Sequence, residues 1–525
     1  MMRFLELLNR KKYRTSQPQQ SSKQPSGQSS QPNRQPNNDL INLDLPQNVA
    51  YIQGMFTQTP DLNVRQFTIK QSGEQAALVY LDGLADKNSI NNNVLRPLQF
   101  ESETSDAIGG FTVTVGRVQT LSAWPDVEAS ILQGNSVLLI AGRTEAYSLD
   151  TTGWPQRAIE DPQIEASLKG AHQGFVETGS QNIAMLRRYI PNRELKVLEI
   201  SVGERGHTKT SILYLADVTH PDVLKEMEDR IRQLDVDVIL NTGELAELIE
   251  DNPYSPFPQF ILTERPDAAA SQILQGRLVV VVDRSPSVLV APVTFTSFFQ
   301  NIDDYSTRWS IATFIRLLRL FAFFIAVLLP GLYIAITSYN FETIPVKLLV
   351  TIGESRGRVP FPPFVEAILM EITLEMMREA GVRLPAPVGQ TVGIVGGIVI
   401  GQAIVQAGLV SNIMVIVVAF TAIASFILPN YDMVAAVRLL RFAMMAAASM
   451  FGIVGIVIAV MTLIGHLIAL ESLGTPYGTP FAPIRLADWK DALIRMPLWK
   501  MKNRPLSARA VQLKRQGSNH PEGDS

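Results

Sequence analysis

The feature that most restricts the fold of this sequence is a long run, from residue 388 to 431, without a single charged side chain. A helix on the surface of a soluble core normally carries charged or polar residues on its outer face. In hydrocarbon, by contrast, every backbone amide must be hydrogen-bonded within the protein, and a helix achieves this within one segment. The run therefore predicts membrane-spanning helices.

Residues 310–475 form the predicted membrane domain, an all-α region of four or five helices. A bilayer requires about 20 predominantly apolar residues per helix, and the predicted spans are 312–337, 388–409, 411–428 and 442–470. The last is longer than a bilayer requires, so we expect it to tilt or protrude. Pro330 should kink the first span, which is tolerated when a neighbouring helix satisfies the freed carbonyl.

A fifth helical segment, 360–381, is amphipathic and acidic. Glu371, Glu375 and Glu379 recur every four residues, so they share one face of the helix. This face is either simply solvated or, in a ring of subunits, an acidic stripe at a pore mouth that favours cations. We expect the segment to lie at the interface, to re-enter the membrane or to line water, and the sequence leaves open whether it crosses.

The rest of the chain divides by composition. Residues 1–46 are rich in Gln, Ser, Pro and Asn, which predicts disorder because such a segment buries little apolar surface. Residues 47–165 and 166–305 form two predicted α/β subdomains, since β-branched runs alternate with helical patterns. The basic tail 476–525 and the lack of an export signal place these regions in the cytoplasm.

Within the α/β region, eight runs carry a strand pattern and two carry a helix pattern. The predicted strands are RQFTIK, AALVYLD, SVLLIAG, LKVLEISV, SILYLADV, VDVIL, FPQFIL and GRLVVVVD, and the predicted helices are PDVLKEMEDRIRQLD and TGELAELIED. The motif GERGHTKT at 203–210 lacks the spacing and the following helix of a phosphate-binding loop. It therefore predicts a hairpin turn.

The 388–409 segment has an unusual composition for a helix. Gly389, Gly393, Gly397 and Gly401 recur every four residues and so form a groove along one side. Glycine costs a helix interior about 1 kcal/mol relative to alanine, and in lipid close packing between backbones offsets that cost. The groove can contact other helices of the same subunit or the same helix of a neighbouring subunit, and the pattern leaves both open.

A second stripe beside this groove consists of the candidate pore-lining residues, Thr391, Val395, Ile398, Gln402 and Gln406. Amide side chains buried in lipid need hydrogen-bond partners, which helices of the same subunit can supply. In a ring of subunits the stripe would instead face the axis. The glutamines would then hold water, and Val395 and Ile398 would form an apolar constriction that gates by dewetting.

Composition excludes several classes of function. The net charge of −3 implies no bulk attraction to nucleic acid. The absence of cysteine excludes disulfides and thiolate metal sites. The histidines lack metal-ligand spacing, and no nucleophile–base pair stands out. We therefore expect no metal, no cofactor and no enzymatic activity.

Several long motifs resemble one bacterial family. They include GRLVVVVDRSPSVLVAP from 276, PFPPFVEAILMEITLEMMREAGVRLP from 360, VGQTVGIVGGIVIGQAIVQAGLVS from 388 and PFAPIRLADWKDALIRMPLWKMKNRP from 480. Together they resemble the A subunits of spore germinant receptors, the GerA family, over roughly residues 50–505.

The resemblance implies a two-part cytoplasmic α/β domain and a helical domain in the inner membrane of a bacterial spore. It implies a homo-oligomeric ring that acts as a nutrient-gated cation channel and triggers germination, with the 388–409 helix lining the pore. It also implies two partners, a permease-like B subunit and a lipoprotein C subunit. Two alternatives stay open: a non-conducting scaffold of the receptor, and a transporter-like subunit with its own substrate site.

Overall fold

Two five-stranded antiparallel sheets precede a helical region, which confirms the predicted fold class. The computed structural model describes residues 40–100, 111–153, 162, 165, 169–385, 397, 399, 401–517 and 519. The predicted disorder of 1–46 lies outside these residues except at its end, where the first helix begins at Leu45. From Ile41 onward the chain forms one unit.

The first sheet has helices on both faces. Its strands are β1 Leu62–Thr68, β2 Gln75–Leu81, β3 Val118–Leu121, β4 Ser136–Ile140 and β5 Ala146–Leu149, in the order β1-β2-β4-β5-β3. Helices α1 Leu45–Met55 and α2 Trp124–Leu132 cover one face. Three short helical segments cover the other, Lys87–Ser89, Ile90–Leu95 and Arg96–Phe100.

The second sheet has the same layered construction. Its strands are β6 Leu195–Val202, β7 Thr208–Leu215, β8 Ile261–Thr263, β9 Leu278–Val282 and β10 Val288–Ala291, in the order β6-β7-β9-β10-β8. Helices α3 Gly179–Tyr189 and α6 Pro266–Leu274 pack on one face, and α4 Pro221–Arg232 and α5 Thr242–Ile249 on the other. The antiparallel pairing of β6 with β7 confirms the predicted hairpin turn at 203–210.

The two sheets are an internal structural repeat. Their strands follow the same order, and in each a helix with Pro-Asp in its first turn leads into the central strand through the sequence ILQG. The glycines of these motifs, Gly134 and Gly276, have φ values of +93° and +96°. Glycine adopts such backbone angles without steric cost, so both motifs encode the same turn.

Two features of the α/β region differ from expectation. The predicted strand VDVIL at 236–240 is wrong, because its carbonyls at Val236 and Asp237 accept hydrogen bonds from the 204–206 turn instead of joining a sheet. Strands β3, β5 and β10 were not predicted, and each has only four residues. Such short runs carry little periodicity from which to recognise a strand.

The helical region contains six helices among the described residues. They are α7 Trp309–Ser338, α8 Val346–Arg356, α9 Pro363–Arg383, α10 Gly401–Gln406, α11 Asn412–Ile427 and α12 Tyr431–Ala469. The predicted helices at 312–337, 360–381 and 411–428 are confirmed as helices. The side chains of Ser411 and Asn430 cap α11 and α12 by accepting hydrogen bonds from the amides of Met414 and Met433.

Helix α12 is a helical hairpin. Gly452 has φ 59° and ψ −139°, which interrupts the helix, and both ends of α12 lie beside the loop that contains Ser255. His466 bonds to Ser255 at 2.8 Å, while Asp432 lines a cavity with Ser255. A straight helix of 39 residues would be about 58 Å long and could not make both contacts. The single span expected at 442–470 is therefore divided, and the chain reverses at Gly452.

The reversal makes Gly452 sensitive to substitution. A Cβ atom there would lie 2.9 Å from the Cβ of Tyr339 and from Oδ1 of Asn340, and the backbone angles disfavour any L side chain. We expect Gly452→Ala to destabilise the protein by about 1–3 kcal/mol, measured by thermal unfolding of the full chain in detergent. The matched control is Gly465→Ala, since Gly465 is helical with open space beside it. Equal stability of both variants would contradict the hairpin.

The segment after α12 returns to the second sheet. We name residues 470–517 the C-terminal strap. Ser472 donates to the carbonyl of Gln259 at 2.8 Å, and the amide of Val511 donates to the carbonyl of Val218 at 2.7 Å. Ala510 enters the core between the sheet and its helices. Both ends of the helical region thus contact segments next to the second sheet, since Arg319 of α7 donates to the carbonyl of Phe299, which follows β10.

Candidate functional site

The structure describes the last two of the candidate pore-lining residues. Gln402 and Gln406 lie in α10 and are exposed in the single chain. Within the described residues, neither amide side chain has a hydrogen-bond partner. Thr391, Val395 and Ile398 lie outside the described residues.

Two of the four groove glycines are also described. A Cβ atom built on Gly397 or Gly401 would meet no atom within 4 Å. At these two positions the groove therefore faces no other helix in the part of the chain that the structure describes. Gly389 and Gly393 lie outside the described residues.

The three glutamates of α9 occupy different surroundings. Glu379 pairs with Arg383 at 2.6 Å, with both side chains largely exposed, whereas Glu375 pairs with Arg378 and with Arg438 of α12. Glu371 is only 5% exposed and receives a 2.6 Å bond from Arg441. In the single chain, Glu379 is thus exposed and Glu375 is half-buried. Glu371 is buried inside the helical bundle, where it pairs with Arg441.

Arg441 is a buried arginine that bonds to several helices, and the sequence pattern did not reveal it. Besides Glu371 of α9, its guanidinium donates to Ser425 Oγ of α11 at 2.6 Å and to the carbonyl of Ala326 in α7 at 2.8 Å. Ala326 lies four residues before Pro330, which has no amide to donate to it. Arg441 is the expected neighbour that satisfies this freed carbonyl, and it connects four helices.

Helices α9 and α11 run side by side in the same direction. At one end, Glu366 of α9 accepts a 2.9 Å bond from the amide of Ser411. At the other end, the guanidinium of Arg378 lies 5.7 Å from the ring centre of Phe426. Pro385, which follows α9, and Gly408, which precedes α11, therefore lie at opposite ends of this helix pair. The predicted 388–409 helix lies outside the described residues up to position 396.

A second buried charge cluster joins α7, the C-terminal strap and the short helix Asp303–Ser306, which follows the second sheet. Asp304 is 3% exposed and accepts bonds of 2.9 Å from both Arg316 and Arg319 of α7. Arg316 also pairs with Asp491 of the strap at 2.9 Å, and Tyr305 donates to the same carboxylate at 2.8 Å. Arg316 and Arg319, near the start of the first predicted span, are therefore both buried in this junction.

Burial governs the ionisation of the groups beside this junction. It raises the pKa of Tyr305, and the nearby Asp491 carboxylate adds to that shift. Burial lowers the pKa of Arg277 to about 10, because its guanidinium has only a hydroxyl, Ser297, as a partner at 3.3 Å. The junction therefore contains a neutral tyrosine and charged arginines near neutral pH.

Two properties of the described residues bear on function. No group of three or more His, Asp or Glu side chains among them could hold a metal ion. Two of their helices, Trp309–Ser338 and Tyr431–Ala469, are long and apolar enough to cross a membrane, and Asn412–Ile427 is a shorter apolar helix. By length and composition alone these are weak indications of membrane association.

The chain is similar to curated proteins along most of its length. It is 40% identical over 486 residues to Spore germination protein KA of Bacillus subtilis (strain 168), covering 91% of this chain and 89% of that protein. It is 39% identical over 450 residues to Spore germination protein GerLA of Bacillus cereus, covering 85% of this chain and 92% of that protein. It is also 36% identical over 470 residues to the uncharacterized membrane protein YfkQ of Bacillus subtilis (strain 168), covering 89% of this chain and 91% of that protein.

One solved structure and one family model also match. The N-terminal domain of the A subunit of the Bacillus megaterium spore germinant receptor GerK3 is 28% identical, with a TM-score of 0.38, covering 49% of this chain and 97% of that one. The model of the Bacillus/Clostridium GerA spore germination proteins matches residues 50–507. The family resemblance of the motifs is thereby confirmed. The chain belongs to the GerA family of spore germination proteins.

Proposed function

We propose that this chain is the A subunit of a nutrient germinant receptor and that copies of it form a ring that conducts cations across the inner membrane of the spore. Relatives named as spore germination proteins, at 37–40% identity over most of the chain, support the receptor assignment. A permease-like B subunit and a lipoprotein C subunit are its proposed partners. The ring and the channel rest on the helical region of this chain.

The open groove at Gly397 and Gly401 carries the ring proposal. In lipid, small residues stabilise a helix when another backbone packs against them. No atom of the described residues occupies that position at either glycine. A neighbouring copy supplies the missing contact, and the adjacent stripe with Gln402 and Gln406 then faces the axis, where water hydrates the amides.

The path of the chain supports a polytopic membrane domain. We propose six passes: α7, α9, the predicted 388–409 helix, α11, and the two arms of α12. An even number of passes leaves both ends of the region on one side. This agrees with the bonds of Arg319 in α7 to the Phe299 carbonyl after β10, and of Ser472 in the strap to the Gln259 carbonyl before β8. The basic strap supports the assignment of this side to the cytoplasm, which in a spore is the core.

Gating in this proposal is a shift between closed and open rings. Nutrient binding elsewhere in the receptor can shift the equilibrium only by the difference in its affinity for the two states. In the closed state Val395 and Ile398 form the apolar constriction, which excludes ions by dewetting. The Glu375 and Glu379 carboxylates attract cations at the pore mouth, whereas Glu371 holds α9 in place through Arg441.

A pair of substitutions at one position tests conduction. In liposomes containing purified full-length protein, we expect Val395→Glu to raise cation leak about tenfold or more, since a charge hydrates the constriction. Val395→Lys should also hydrate it but select against cations. Folding damage alone would affect both variants alike, so equal flux from the two would favour the non-conducting scaffold. Saturable substrate uptake by the chain alone would favour the transporter.

Cross-linking tests the ring. The chain has no cysteine, so Gln402→Cys introduces a single thiol. Under oxidation we expect disulfide-linked dimers within each ring if position 402 faces the axis. Ile404→Cys is the control, because two residues along a helix place it on the opposite side. Strictly monomeric protein in lipid, or equal cross-linking of the two variants, would contradict the ring.

A further inference from the structure

The middle of the C-terminal strap lies against the first turns of α7. Thr313 donates from Oγ1 to the carbonyl of Arg495 at 3.2 Å, and Arg316 pairs with Asp491 at 2.9 Å. Helix α7 begins at Trp309, so these contacts lie within its first two turns. If α7 enters the membrane as proposed above, residues 481–502 lie at the level of the lipid headgroups.

This part of the strap exposes an unusual set of apolar side chains. Ile484 and Leu486 are 72% and 68% exposed, although a folded segment usually covers such residues. The full set of large exposed apolar residues is Phe481, Ile484, Leu486, Trp489, Ile494 and Leu498. Tryptophan and apolar residues beside lysines are typical of segments that lie in a membrane interface.

A basic cleft of about 330 Å³ adjoins these apolar residues. Its cationic lining residues are Lys490, Lys500, Lys502, Arg504 and Arg515. Arg504 donates to the carbonyls of Leu274, Gln512 and Lys514. Among the described residues, the other four cations form no ion pair, so the cleft holds positive charge that is unpaired within this part of the chain.

Two carboxylates also line the cleft. Asp491 is already engaged by Arg316 and Tyr305. Asp488 accepts a 3.0 Å bond from the amide of Leu506 through Oδ1, while its Oδ2 is buried with no partner among the described residues. A ligand for this cleft therefore combines an anionic group for the lysines with a donor, such as a hydroxyl, for Asp488.

We propose that the cleft binds the phosphate of an anionic phospholipid headgroup, while the exposed apolar residues of 481–502 enter the same leaflet. Charge complementarity selects an anion, and the apolar residues select a lipid, because a free phosphate or a nucleic acid would leave them in water. The strap is then a lipid-dependent clamp at the base of α7. This inference rests on the membrane insertion of α7, but not on conduction.

Quenching of tryptophan fluorescence tests the lipid site. The probes are phosphatidylglycerol and phosphatidylcholine with brominated acyl chains, titrated into the purified full chain in nonionic detergent. We expect phosphatidylglycerol to quench at clearly lower concentration. Each lysine near an anionic lipid surface contributes about fivefold in affinity, so Lys490→Gln, Lys500→Gln and Lys502→Gln together should weaken phosphatidylglycerol binding by at least tenfold.

A charge-matched variant controls for net charge and folding. It carries Lys70→Gln, Lys209→Gln and Lys225→Gln, three exposed lysines of the α/β region. We expect it to bind phosphatidylglycerol like the unmodified protein, and both triple variants to melt at unchanged temperature because the substituted lysines are exposed. Equal quenching by the two lipids, or equal losses in the two variants, would overturn the proposal.

Two further measurements separate this inference from neighbouring explanations. Inorganic phosphate at millimolar concentration should not displace phosphatidylglycerol, and efficient displacement would indicate a free-anion site and refute the lipid. Ion flux through the Val395 variants is independent of this cleft. Altered flux in those variants without any lipid preference would thus contradict only the lipid site. Extraction of the chain from membranes by alkaline carbonate would contradict the proposed function itself.

Discussion

Replacing Arg441 with methionine should destabilise the protein by about 3–5 kcal/mol. The substitution leaves the Glu371 carboxylate buried without its cation, and removing one partner of a buried ion pair has a cost of this size. It also removes donors from Ser425 and from the Ala326 carbonyl, which Pro330 cannot satisfy. Thermal unfolding of the full chain in detergent measures the loss.

The second partner and an exposed pair provide the controls. Arg441→Met combined with Glu371→Leu should recover most of the loss, because no buried charge remains, although the Ala326 carbonyl stays unpaired. Arg383→Met should cost less than about 1 kcal/mol, since Arg383 and Glu379 are 77% and 62% exposed. If Arg441→Met proves no less stable than Arg383→Met, Arg441 does not hold the four helices together.

Replacing Asp304 with asparagine should also cost about 3–5 kcal/mol and should loosen α7 from the second sheet. The neutral amide leaves Arg319 without a carboxylate and leaves Arg316 with Asp491 alone. Both guanidiniums are buried, so the lost charge is not replaced by water without rearrangement. Thermal unfolding should show the loss, and trypsin should cleave faster after the exposed Arg308, next to the junction.

An aspartate outside the junction is the comparison for this prediction. Asp237 pairs with Arg205 at 3.3 Å, and both side chains are mostly exposed. Asp237→Asn should therefore change stability by less than about 1 kcal/mol and leave cleavage at Arg308 unchanged. If Asp304→Asn behaves in the same way, the junction does not depend on this buried carboxylate.

The elements that could be predicted from the sequence are those that a pattern among neighbouring residues specifies. The helices at 312–337, 360–381 and 411–428 follow from uninterrupted apolar or amphipathic runs, and the 203–210 turn follows from polar residues between two β-branched runs. Four-residue strands and the irregular 236–240 segment escaped because pattern over so few residues does not distinguish strand from loop. The repeated ILQG motif could have revealed the internal repeat.

The sequence by itself determined the α/β and helical regions, the family, and the glycine and glutamine stripes, because hydrophobicity and spacing are properties of neighbouring residues. Only the tertiary structure decided that Arg441 meets Glu371 and Ala326, which lie 70 and 115 residues away along the chain. The same holds for the strap on the second sheet and the reversal at Gly452. Such contacts depend on which elements pack together, and a pattern within one element does not specify its partner.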